Sequence, residues 1–517
     1  MHILVVISAC LPLLALASLL CAYSYGRFAR RAQGAPSAAL PVVDDATVLD
    51  RMIAPMLGAH PGLTGLTLLD RNPHAFAARV QSARSAGRSL DLQYYVWKDD
   101  LTGGLLSKEI LAAADRGVRV RLLLDDINTR GDDSIYLALD RHPNIELRLF
   151  NPSRSRSGGL RRGVELLLRA LSATRRMHNK LWIADGRVAI IGGRNIGDAY
   201  FSASETSNFH DMDLLLLGPG VAQAEAAFDS YWNCTSIIPI RALHRLRRGK
   251  LAKLRTRLDA LAVTGPALPY LRRVIEAGGV PRMLVGAHRL HWTADAQVVS
   301  DPPEKVHGRA EPSWLGGTLF TLLRSARTEL EIISPYFIPG EAGVSTLKAM
   351  TAAHVRVSVL TNSLVATDVA AAHGAYAHYR KPLLQCGVRL FELRSQQRRK
   401  RISLLGSSGA SLHTKAFTVD RKSGFVGSFN FDPRSLSLNT EMGVLFGDEA
   451  LAEEIRAVFA EQSAPRNSYR PFLKDGSIAW QDGAGPQARI WTREPVAGIW
   501  RRIGAMVVGA LPVESQL

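Results

Sequence analysis

Residues 175–195, "RRMHNKLWIADGRVAIIGGRN", contain a histidine, a lysine and an aspartate, followed by a glycine pair and an asparagine. Residues 412–430, "LHTKAFTVDRKSGFVGSFN", repeat this arrangement. Both stretches fit H-x-K-x4-D-x6-G-[GS]-x-N with identical internal spacing. Core packing rarely reproduces so many constrained positions twice, so the two stretches indicate a duplicated functional unit.

The segments around the two stretches are repeated as well, with an offset near 240 residues. They are short apolar runs, rich in β-branched and aromatic residues, and helix-like stretches precede the first pair. The pairs are "RSLDLQYYVW" (88–97) with "TELEIISPYF" (328–337), "GVRVRLLLDD" (117–126) with "HVRVSVLTNS" (354–363), and "LRLFNP" (147–152) with "VRLFEL" (388–393). The alternation predicts an α/β fold with two tandem domains, each a mixed sheet flanked by helices.

The repeated residue types suit the chemistry of a phosphate ester. A histidine and a lysine two positions apart on a strand project to the same face and can meet one substrate group. Histidine supplies a nucleophile or proton carrier, lysine a cation, and the asparagine amide a donor to phosphoryl oxygens. The candidate residues are His178, Lys180 and Asn195 in the first copy and His413, Lys415 and Asn430 in the second.

Composition limits the remaining possibilities. The chain has 517 residues, 47% of them apolar and 21% charged, which excludes a largely disordered protein and predicts several domains. The formal net charge of +18 predicts an anionic partner: nucleic acid, an anionic lipid leaflet or a phosphorylated substrate. Cys10 and Cys21 lie within the first 25 residues, and Cys234 and Cys386 lie far apart beyond them, so the four cysteines form neither a disulfide framework nor a metal cluster.

The start of the chain predicts a membrane anchor. Residues 3–25 contain no charged residue and are about as long as the roughly 20 apolar residues that span a bilayer. A cleaved signal peptide is the alternative, although a basic stretch does not precede the apolar run. Arg27, Arg30 and Arg31 follow it, and the positive-inside tendency would keep the bulk of the protein cytoplasmic.

Two further segments have two interpretations each. "IRALHRLRRGKLAKLRTRL" (240–258) is a basic helical stretch that is either a solvated linker or a surface resting on anionic lipid headgroups. "PVAGIWRRIGAMVVGALPVESQL" (495–517) mixes aromatic, aliphatic and arginine residues. It lies in a membrane interface or packs against the protein body.

The duplicated motif resembles that of the phospholipase D superfamily, whose members carry one such motif in each half. The resemblance covers residues 45–470. It implies two similar α/β domains packed face to face, as a pseudo-twofold pair around one active site. It also implies that one histidine attacks phosphorus to form a phosphohistidine, while the other protonates the departing alcohol and then deprotonates the acceptor. That chemistry requires no metal and no cofactor.

The resemblance also implies roles for individual residues. Lys180, Lys415, Asn195 and Asn430 would hold the phosphoryl oxygens. An acidic residue beyond each asparagine would orient a histidine, and the matching positions are Asp211 and Glu441, with Asp213 as a rival for Asp211. Asp185 and Asp420 belong to the catalytic motif and are expected to fix local geometry. By analogy with superfamily members, His178 is the expected nucleophile.

Several longer stretches resemble bacterial cardiolipin synthases of the branch with a short amino-terminal membrane segment. They are "SLDLQYYVWKDD" (89–100), "FNPSRSRSGG" (150–159), "RRMHNKLWIADGRVAIIGGRNIGDAYF" (175–201), "DPPEK" (301–305), "FNFDPRSLSLNTEMG" (429–443) and "WRRIGAMVVGALPVESQL" (500–517). Gly193 stands where many relatives have serine. This resemblance implies transfer of a phosphatidyl group to phosphatidylglycerol, with phosphatidylglycerol or phosphatidylethanolamine as donor, at an anionic bacterial inner membrane.

Two alternative functions remain at this point. A phospholipase D-type hydrolase would use the same motifs with water as acceptor, because acceptor choice depends on how water is excluded. A nuclease would suit the basic charge, but aromatic residues are not interleaved with the basic clusters, so no nucleic-acid partner is expected. The donor lipid, any partner protein and a periplasmic location of the site stay open.

The predicted organisation follows from these features. It comprises an anchor with a basic flank (1–31), a first phospholipase D-like domain (45–239), a basic helical linker (240–280), a second phospholipase D-like domain (281–470) and a carboxy-terminal extension (471–517).

Overall fold

Two mixed β-sheets, one for each half of the chain, form the framework of the protein. The computed structural model describes residues 2–129, 131–156, 159–244, 250–277, 290–308, 314–395 and 411–509. The predicted fold class, two α/β units with mixed sheets flanked by helices, is confirmed.

The strands of the first half precede residue 294. They are β1 (Thr64–Leu69), β2 (Ser89–Tyr94), β3 (Arg119–Asp125), β4 (Ile145–Phe150), β5 (Leu181–Ala184), β6 (Val188–Gly192), β7 (Phe209–His210), β8 (Asp213–Leu217), β9 (Ile237–Pro239) and β10 (His291–Thr293). The strands that follow are β11 (Ala296–Ser300), β12 (Glu329–Ile333), β13 (Arg356–Asn362), β14 (Arg389–Leu393), β15 (Ser411–Leu412), β16 (Ala416–Val419), β17 (Ser423–Gly427), β18 (Met442–Gly447), β19 (Ser468–Lys474), β20 (Ser477–Asp482) and β21 (Arg489–Trp491).

Helices connect and cover these strands. Those of the first half and the linker are α1 (His2–Ala32), α2 (Val48–Ala59), α3 (Asn72–Ser85), α4 (Leu101–Asp115), α5 (Asp133–Leu139), α6 (Gly159–Leu168), α7 (Ala170–Ala173), α8 (Pro219–Trp232), α9 (Ile240–Leu243), α10 (Leu251–Ala262) and α11 (Ala267–Ala277). Those of the second half are α12 (Leu315–Arg324), α13 (Gly340–Ala352), α14 (Ala370–Gln385), α15 (Pro433–Ser437), α16 (Glu449–Ser463) and α17 (Ile499–Gly509).

The two sheets share one central topology. Within the described residues the first sheet has the order β10-β1-β8-β6-β5-β2-β3-β4-β9, and the second has the order β11-β18-β17-β16-β12-β13-β14-β19-β20-β21. In each sheet, three parallel strands adjoin an antiparallel meander of three strands. In the first sheet the parallel strands are β2, β3 and β4 and the meander is β5, β6 and β8. In the second sheet the parallel strands are β12, β13 and β14 and the meander is β16, β17 and β18. Both strands that follow a motif histidine, β5 and β16, therefore occupy equivalent central positions.

Helices α8 and α16 lie between the two sheets, and α3 and α4 pack on the first sheet. One apolar core cluster draws on both halves, with Leu181 and Ile183 from β5 and Ala416 and Val444 from the second sheet. Burial of a shared apolar core is the dominant favourable contribution to such an association. The halves are thus packed face to face around their central strands.

The basic linker packs against the first half. Helix α10 packs on α4, and α11 packs on α3. Arg255 pairs with Asp115 at 2.6 Å, and Arg257 pairs with Asp99 at 2.6 Å. Residues 245–249 and 278–280 of the predicted linker lie outside the described residues.

Two predicted boundaries differ from the strand pairing. The boundary at 281 would assign β10 to the second domain, whereas β10 pairs with β1 of the first sheet, Leu66 opposite His291. The extension at 471–517 is not separate from the second domain, because β19 pairs with β14 and β20 and β21 continue that sheet. Neither difference affects the central strands.

The apolar run at 3–25 lies in α1, and the side chains of residues 1–11 are outside the described ones. No helix among the described residues is long and apolar enough to cross a bilayer, so the expected single-pass anchor is not confirmed. The carboxy-terminal part of α1 contacts the first half. Arg154 lies over the Phe28 ring and donates to Ser24 Oγ at 3.1 Å.

Candidate active site

The two motif histidines lie where the halves meet, each just ahead of its strand β5 or β16. The backbone NH of His178 donates to Thr440 O at 2.9 Å, and Thr440 N donates back to Arg176 O at 2.9 Å. The backbone NH of His413 donates to His210 O at 2.7 Å. Strands β7 and β15 pair beside it across the halves. Each histidine is therefore held by backbone of the other half.

Each imidazole is also hydrogen-bonded to a carboxylate of the opposite half. His178 Nδ1 lies 2.8 Å from Glu441 Oε2, and His413 Nδ1 lies 2.6 Å from Asp211 Oδ2. A carboxylate accepts from Nδ1–H, which directs the lone pair of the neutral ring to Nε2. The structure thus brings four predicted residues together in two crossed pairs, and both halves are needed for either pair.

Glu441 is held by the motif serine Ser428 and by groups that lie outside the motif. Ser428 Oγ bonds Glu441 Oε2, and Ser435 Oγ donates to Oε1 at 2.8 Å. Glu441 N donates to Asp301 Oδ2 at 3.0 Å, and Lys305 Nζ bonds the same oxygen at 2.7 Å. Asp301 and Lys305 belong to "DPPEK", which the resemblance singled out without a role. Burial raises the pKa of Glu441, against the opposing effects of Lys180 and the two hydroxyls.

Asp211 has different surroundings. A Cβ on Gly193 would lie 2.2 Å from Asp211 Oδ1, so a side chain at position 193 would displace this carboxylate. The equivalent residue in the second half is Ser428, whose hydroxyl contacts Glu441. The glycine that departs from the usual motif therefore makes room for an orienting aspartate. Burial alone would raise the pKa of Asp211, but His413, Lys415 and Arg194 hold it below its ordinary value.

The two motif lysines are buried beside the histidines. Lys180 Nζ donates to His178 O at 2.5 Å, and Lys415 Nζ bonds His413 O and lies 3.2 Å from His413 Nδ1. Burial and the charge of Lys415 lower the pKa of Lys180 from 10.5 to about 7, against the opposing effect of Glu441. Burial likewise lowers the pKa of Lys415. Two buried cations that destabilise each other form a site for an anion.

The surroundings of both histidines favour the neutral imidazole in the substrate-free site. Burial lowers the pKa of His178 well below 6.5, and the charges of Lys180, Lys415 and His413 add to the effect. Burial and Lys415 lower the pKa of His413, while Asp211 opposes them. The charges of Lys415 and His413, from the second half, thus act on the pKa of His178 in the first half. The two motifs therefore share one electrostatic environment.

The asparagines lie beside these groups. Asn195 Oδ1 accepts from Val96 N at 3.1 Å, and its Nδ2 donates to Tyr200 OH at 3.0 Å. Asn430 N donates to Ser435 Oγ at 3.3 Å, the same hydroxyl that holds Glu441. Among the described residues the buried Oδ1 of Asn430 has no hydrogen-bond partner.

Aromatic rings line both histidines, a feature that sequence reasoning did not predict. The Tyr95 ring lies edge-on to His178 at 5.0 Å between centroids and 5.5 Å from Lys180 Nζ. Tyr200 and Phe209 lie 5.2 and 5.1 Å from the His413 ring. No spacing rule in the sequence distinguishes these residues from core aromatics.

Three predicted acidic residues do not contact the histidines. Asp185 has φ 55° and accepts from the backbone NH groups of Arg88 and Ser89 at 2.7 and 2.9 Å. Asp420, with φ 51°, accepts in the same way from Thr328 and Glu329. Asp213 pairs with Arg79 at 2.9 Å and with Arg194. The structure therefore favours Asp211 over its rival.

Within the described residues no group of three or more histidine, cysteine, aspartate or glutamate side chains is arranged to hold a metal ion. The site consists instead of imidazoles, carboxylates and ammonium groups.

Comparisons with known proteins agree with this arrangement. A family model described as "Cardiolipin synthase, PLD-like domain" matches residues 80–232 and 319–462. The chain is 41% identical over 471 residues to cardiolipin synthase C of Escherichia coli K12, covering 89% of this chain and 98% of the relative. It is 24% identical over 386 residues to a cardiolipin synthase of Staphylococcus aureus Mu50, covering 74% and 64% of the two chains.

A solved structure has the same fold. The crystal structure of phosphatidylserine synthase of Haemophilus influenzae Rd KW20 superimposes with a TM-score of 0.58 at 12% identity, covering 91% of this chain and all of the other. With both halves matched by the family model and the two motifs joined in one site, the chain belongs to the cardiolipin synthase family of phospholipase D-like phosphatidyltransferases.

Proposed function

We propose that the protein moves a phosphatidyl group from a donor phospholipid to a free hydroxyl of phosphatidylglycerol, through a phosphohistidine intermediate. The product is cardiolipin, and the released alcohol is glycerol when phosphatidylglycerol is the donor. Relatives named cardiolipin synthase support the reaction class. The observation that carries the proposal is the crossed pairing of His178 with Glu441 and His413 with Asp211, which prepares two imidazoles for one phosphodiester.

In the first step His178 Nε2 attacks phosphorus, since its Nδ1–H is held by Glu441. The P–O bond to the headgroup breaks, and the departing alkoxide takes a proton from Nε2 of protonated His413. In the second step the acceptor hydroxyl gives its proton to His413 Nε2 and its oxygen attacks phosphorus, breaking the P–N bond. Both histidines return to their starting states, so no external oxidant, reductant or metal is consumed.

The two carboxylates favour this division of roles. The charge of Glu441 is partly compensated by the hydroxyls of Ser428 and Ser435, so it stabilises a cationic His178 weakly. Asp211 faces Gly193 and accepts from Met212 N at 2.9 Å. Against the effect of burial, its pKa is held below the ordinary value by His413, Lys415 and Arg194, which favours an ionised carboxylate beside His413. A neutral imidazole is the better nucleophile, and an imidazole beside an ionised carboxylate is the better proton donor. His178 is accordingly proposed as nucleophile and His413 as acid and base.

Lys180 and Lys415 are proposed to hold the non-bridging oxygens, with Asn195 and Asn430 as amide donors. The phosphodiester anion supplies the counter-charge that the two buried ammonium groups need, and it also favours protonation of His413. Charge that develops on the phosphoryl oxygens in the transition state meets donors that are already in place.

Transfer to an alcohol rather than to water is favoured by burial of the site. His178 and His413 are 8% and 6% exposed, and Lys180 and Lys415 are 1% exposed. A lipid headgroup that fills such a site excludes water from the phosphohistidine. Because both substrates reside in a bilayer, membrane association of the enzyme is part of the proposal.

The test uses full-length purified protein with labelled phosphatidylglycerol, alone and with phosphatidylethanolamine. The expected products are labelled cardiolipin and glycerol, and the effect of phosphatidylethanolamine identifies the donor. Phosphatidic acid as the main labelled product would contradict the transferase and support a hydrolase. A chelator control should leave the rate unchanged, and a single-stranded DNA control should give no cleavage.

A further inference from the structure

Helix α17, near the end of the described chain, has an outer apolar face that no described element covers. Ile499, Trp500, Ile503, Met506 and Val507 are all exposed, with Trp500 at 72% and Met506 at 71%. Their spacing places them on one side of the helix. A contiguous group of large exposed apolar side chains on a protein surface is typical of an interaction site.

The opposite face of the same helix is fixed to the second half. Ala505 is buried against α14, where a Cβ on Gly374 would lie 2.3 Å from Ala505 O. Arg501 donates to Leu364 O at 2.8 Å and to Thr367 O at 2.7 Å. The helix therefore presents its apolar side chains outward in a fixed orientation.

The loop that anchors α17 lies beside the candidate active site. Leu364 and Thr367 lie in the loop after β13, and Asp368 of this loop accepts from Tyr336 OH at 2.8 Å. The Asp368 charge also opposes the lowering of the pKa of His413 and Lys415. Substrates of sheets with parallel strands bind beyond the carboxyl ends of those strands. Helix α17 is thus attached to the wall of the site.

The first half also has a helix with an exposed apolar face that is tied to the corresponding loop, although α6 precedes the motif strand β5 and α17 follows the last strand of the second half. Helix α6 exposes Leu160, Val164 and Leu167, which also lie on one side. The segment before it is tied to the loop after β3, the counterpart of β13, through Arg156, which pairs with Asp126 and Asp133. The neighbouring Asp125 accepts from Met177 N at 3.0 Å, directly ahead of His178.

Both apolar faces therefore belong to helices that are tied to corresponding loops, the one after β3 and the one after β13. We use the name apolar rim for the exposed apolar residues of α6 and α17, which are Leu160, Val164, Leu167, Ile499, Trp500, Ile503, Met506 and Val507. Exposed arginines accompany both parts of it, Arg154 and Arg161 beside α6 and Arg493 ahead of α17. Apolar side chains with a tryptophan and flanking cations match the boundary between acyl chains and anionic headgroups.

From this we infer that the apolar rim docks onto an anionic bilayer surface, with α17 inserted at headgroup depth, so that the histidine site faces the lipid from which substrate enters. The identity of the substrate in this inference rests on the proposed function, whereas the docking surface does not depend on it. A second copy of the chain is a less suitable occupant, because arginines beside each apolar face would be brought together in a symmetric dimer.

Docking is tested with the full chain and vesicles of phosphatidylglycerol and phosphatidylcholine, some containing lipid brominated near the headgroup. Bromine quenches indole fluorescence at short range. The difference in quenching between the wild type and Trp500→Phe isolates Trp500. We expect clear quenching of that component in anionic vesicles and little in pure phosphatidylcholine. Absence of quenching while the protein sediments with anionic vesicles would overturn the inference.

Function is tested with Trp500→Glu/Met506→Glu. The matched control is Val263→Glu, an equally exposed residue at 70% on the outer helical layer of the first half. We expect the double variant to transfer roughly tenfold more slowly on vesicles, because two large side chains no longer enter the interface. Its rate on lipid dispersed in detergent micelles should equal that of the wild type, and the control should be unchanged in both assays.

The outcomes separate the two proposals. Wild-type docking without any transfer in vesicles or micelles would contradict the proposed reaction and leave the docking surface standing. Equal vesicle rates for the wild type and the double variant would contradict the docking surface alone. A change from dimer to monomer in the double variant, measured by light scattering without lipid, would assign the rim to self-association and overturn the lipid assignment.

Discussion

His178 of the first half and Glu441 of the second are hydrogen-bonded at 2.8 Å across 263 residues of chain. Asp211 does the same for His413 in the opposite direction, at 2.6 Å. Neither half alone can therefore orient its own histidine. Each half supplies the carboxylate that is hydrogen-bonded to the imidazole of the other half, so residues of both halves form one site.

Replacing either carboxylate by its amide should remove activity without unfolding the protein. Glu441→Gln and Asp211→Asn keep the side-chain volume, but the amide carries no charge and stabilises the wrong tautomer of the imidazole. The same change in a comparable triad lowers kcat about 10⁴-fold. Initial rates with labelled phosphatidylglycerol and thermal unfolding of the same samples check this. Retention of more than about a tenth of the activity in either variant would exclude the orienting role.

Ser428→Ala should shift the acid limb of the pH–rate profile upward. Without this hydroxyl the Glu441 carboxylate is less stabilised, so the pKa of the Glu441–His178 pair rises and the pair binds a proton at higher pH. A shift of up to about one pH unit is expected. The control is Ser107→Ala, a buried hydroxyl that donates to Gly103 O in α4. An unshifted profile for Ser428→Ala would argue against control of His178 through Glu441.

Anion binding should be accompanied by proton uptake. Burial lowers the pKa of Lys180 to about 7, so at pH 8 its amine is mostly neutral, and a bound phosphate raises that pKa. Affinity for inorganic phosphate should then fall as pH rises through 7. Calorimetry at pH 8 in buffers of different ionisation enthalpy measures the uptake directly. Lys180→Gln should reduce it, and identical uptake in the variant would contradict the assignment.

Asp185→Ala should lower stability rather than chemistry. The carboxylate accepts from three successive backbone NH groups, of Gly87, Arg88 and Ser89, and leaving them without partners costs about 1–3 kcal/mol. Thermal unfolding should shift down, while kcat/KM of the folded protein stays within roughly threefold of the wild type. Asp420→Ala is the matched variant in the second half. A large loss of kcat in fully folded protein would show that these aspartates take part in catalysis.

The fold was predictable because the duplicated segments are central strands. Runs such as 88–97 and 328–337 are buried on both faces, so their apolar content reveals them. The ends of the domains were not predictable in the same way. Strand β10 has three residues, and its place beside β1 depends on packing between distant segments.

The composition of the site was predictable and its pairing was not. Identical spacing identified the histidines, lysines and asparagines, and a carboxylate beyond each asparagine followed from the resemblance. Which half supplies the carboxylate depends on how the sheets pack, and no local pattern carries that information. The same holds for Asp301 and Ser435, which act on Glu441 from outside the repeated motif. The aromatic rings beside the histidines have no sequence pattern of their own.

In the proposed mechanism one phosphorus atom lies between the two histidines. A crystal structure with vanadate, which mimics the five-coordinate phosphoryl group, tests this shared site. We expect one vanadate per chain, bonded to His178 Nε2, within hydrogen-bond distance of His413 Nε2, and contacted by Lys180 and Lys415. Two vanadates in separate clefts, or one that contacts a single histidine and lies beyond reach of the other, would contradict the account.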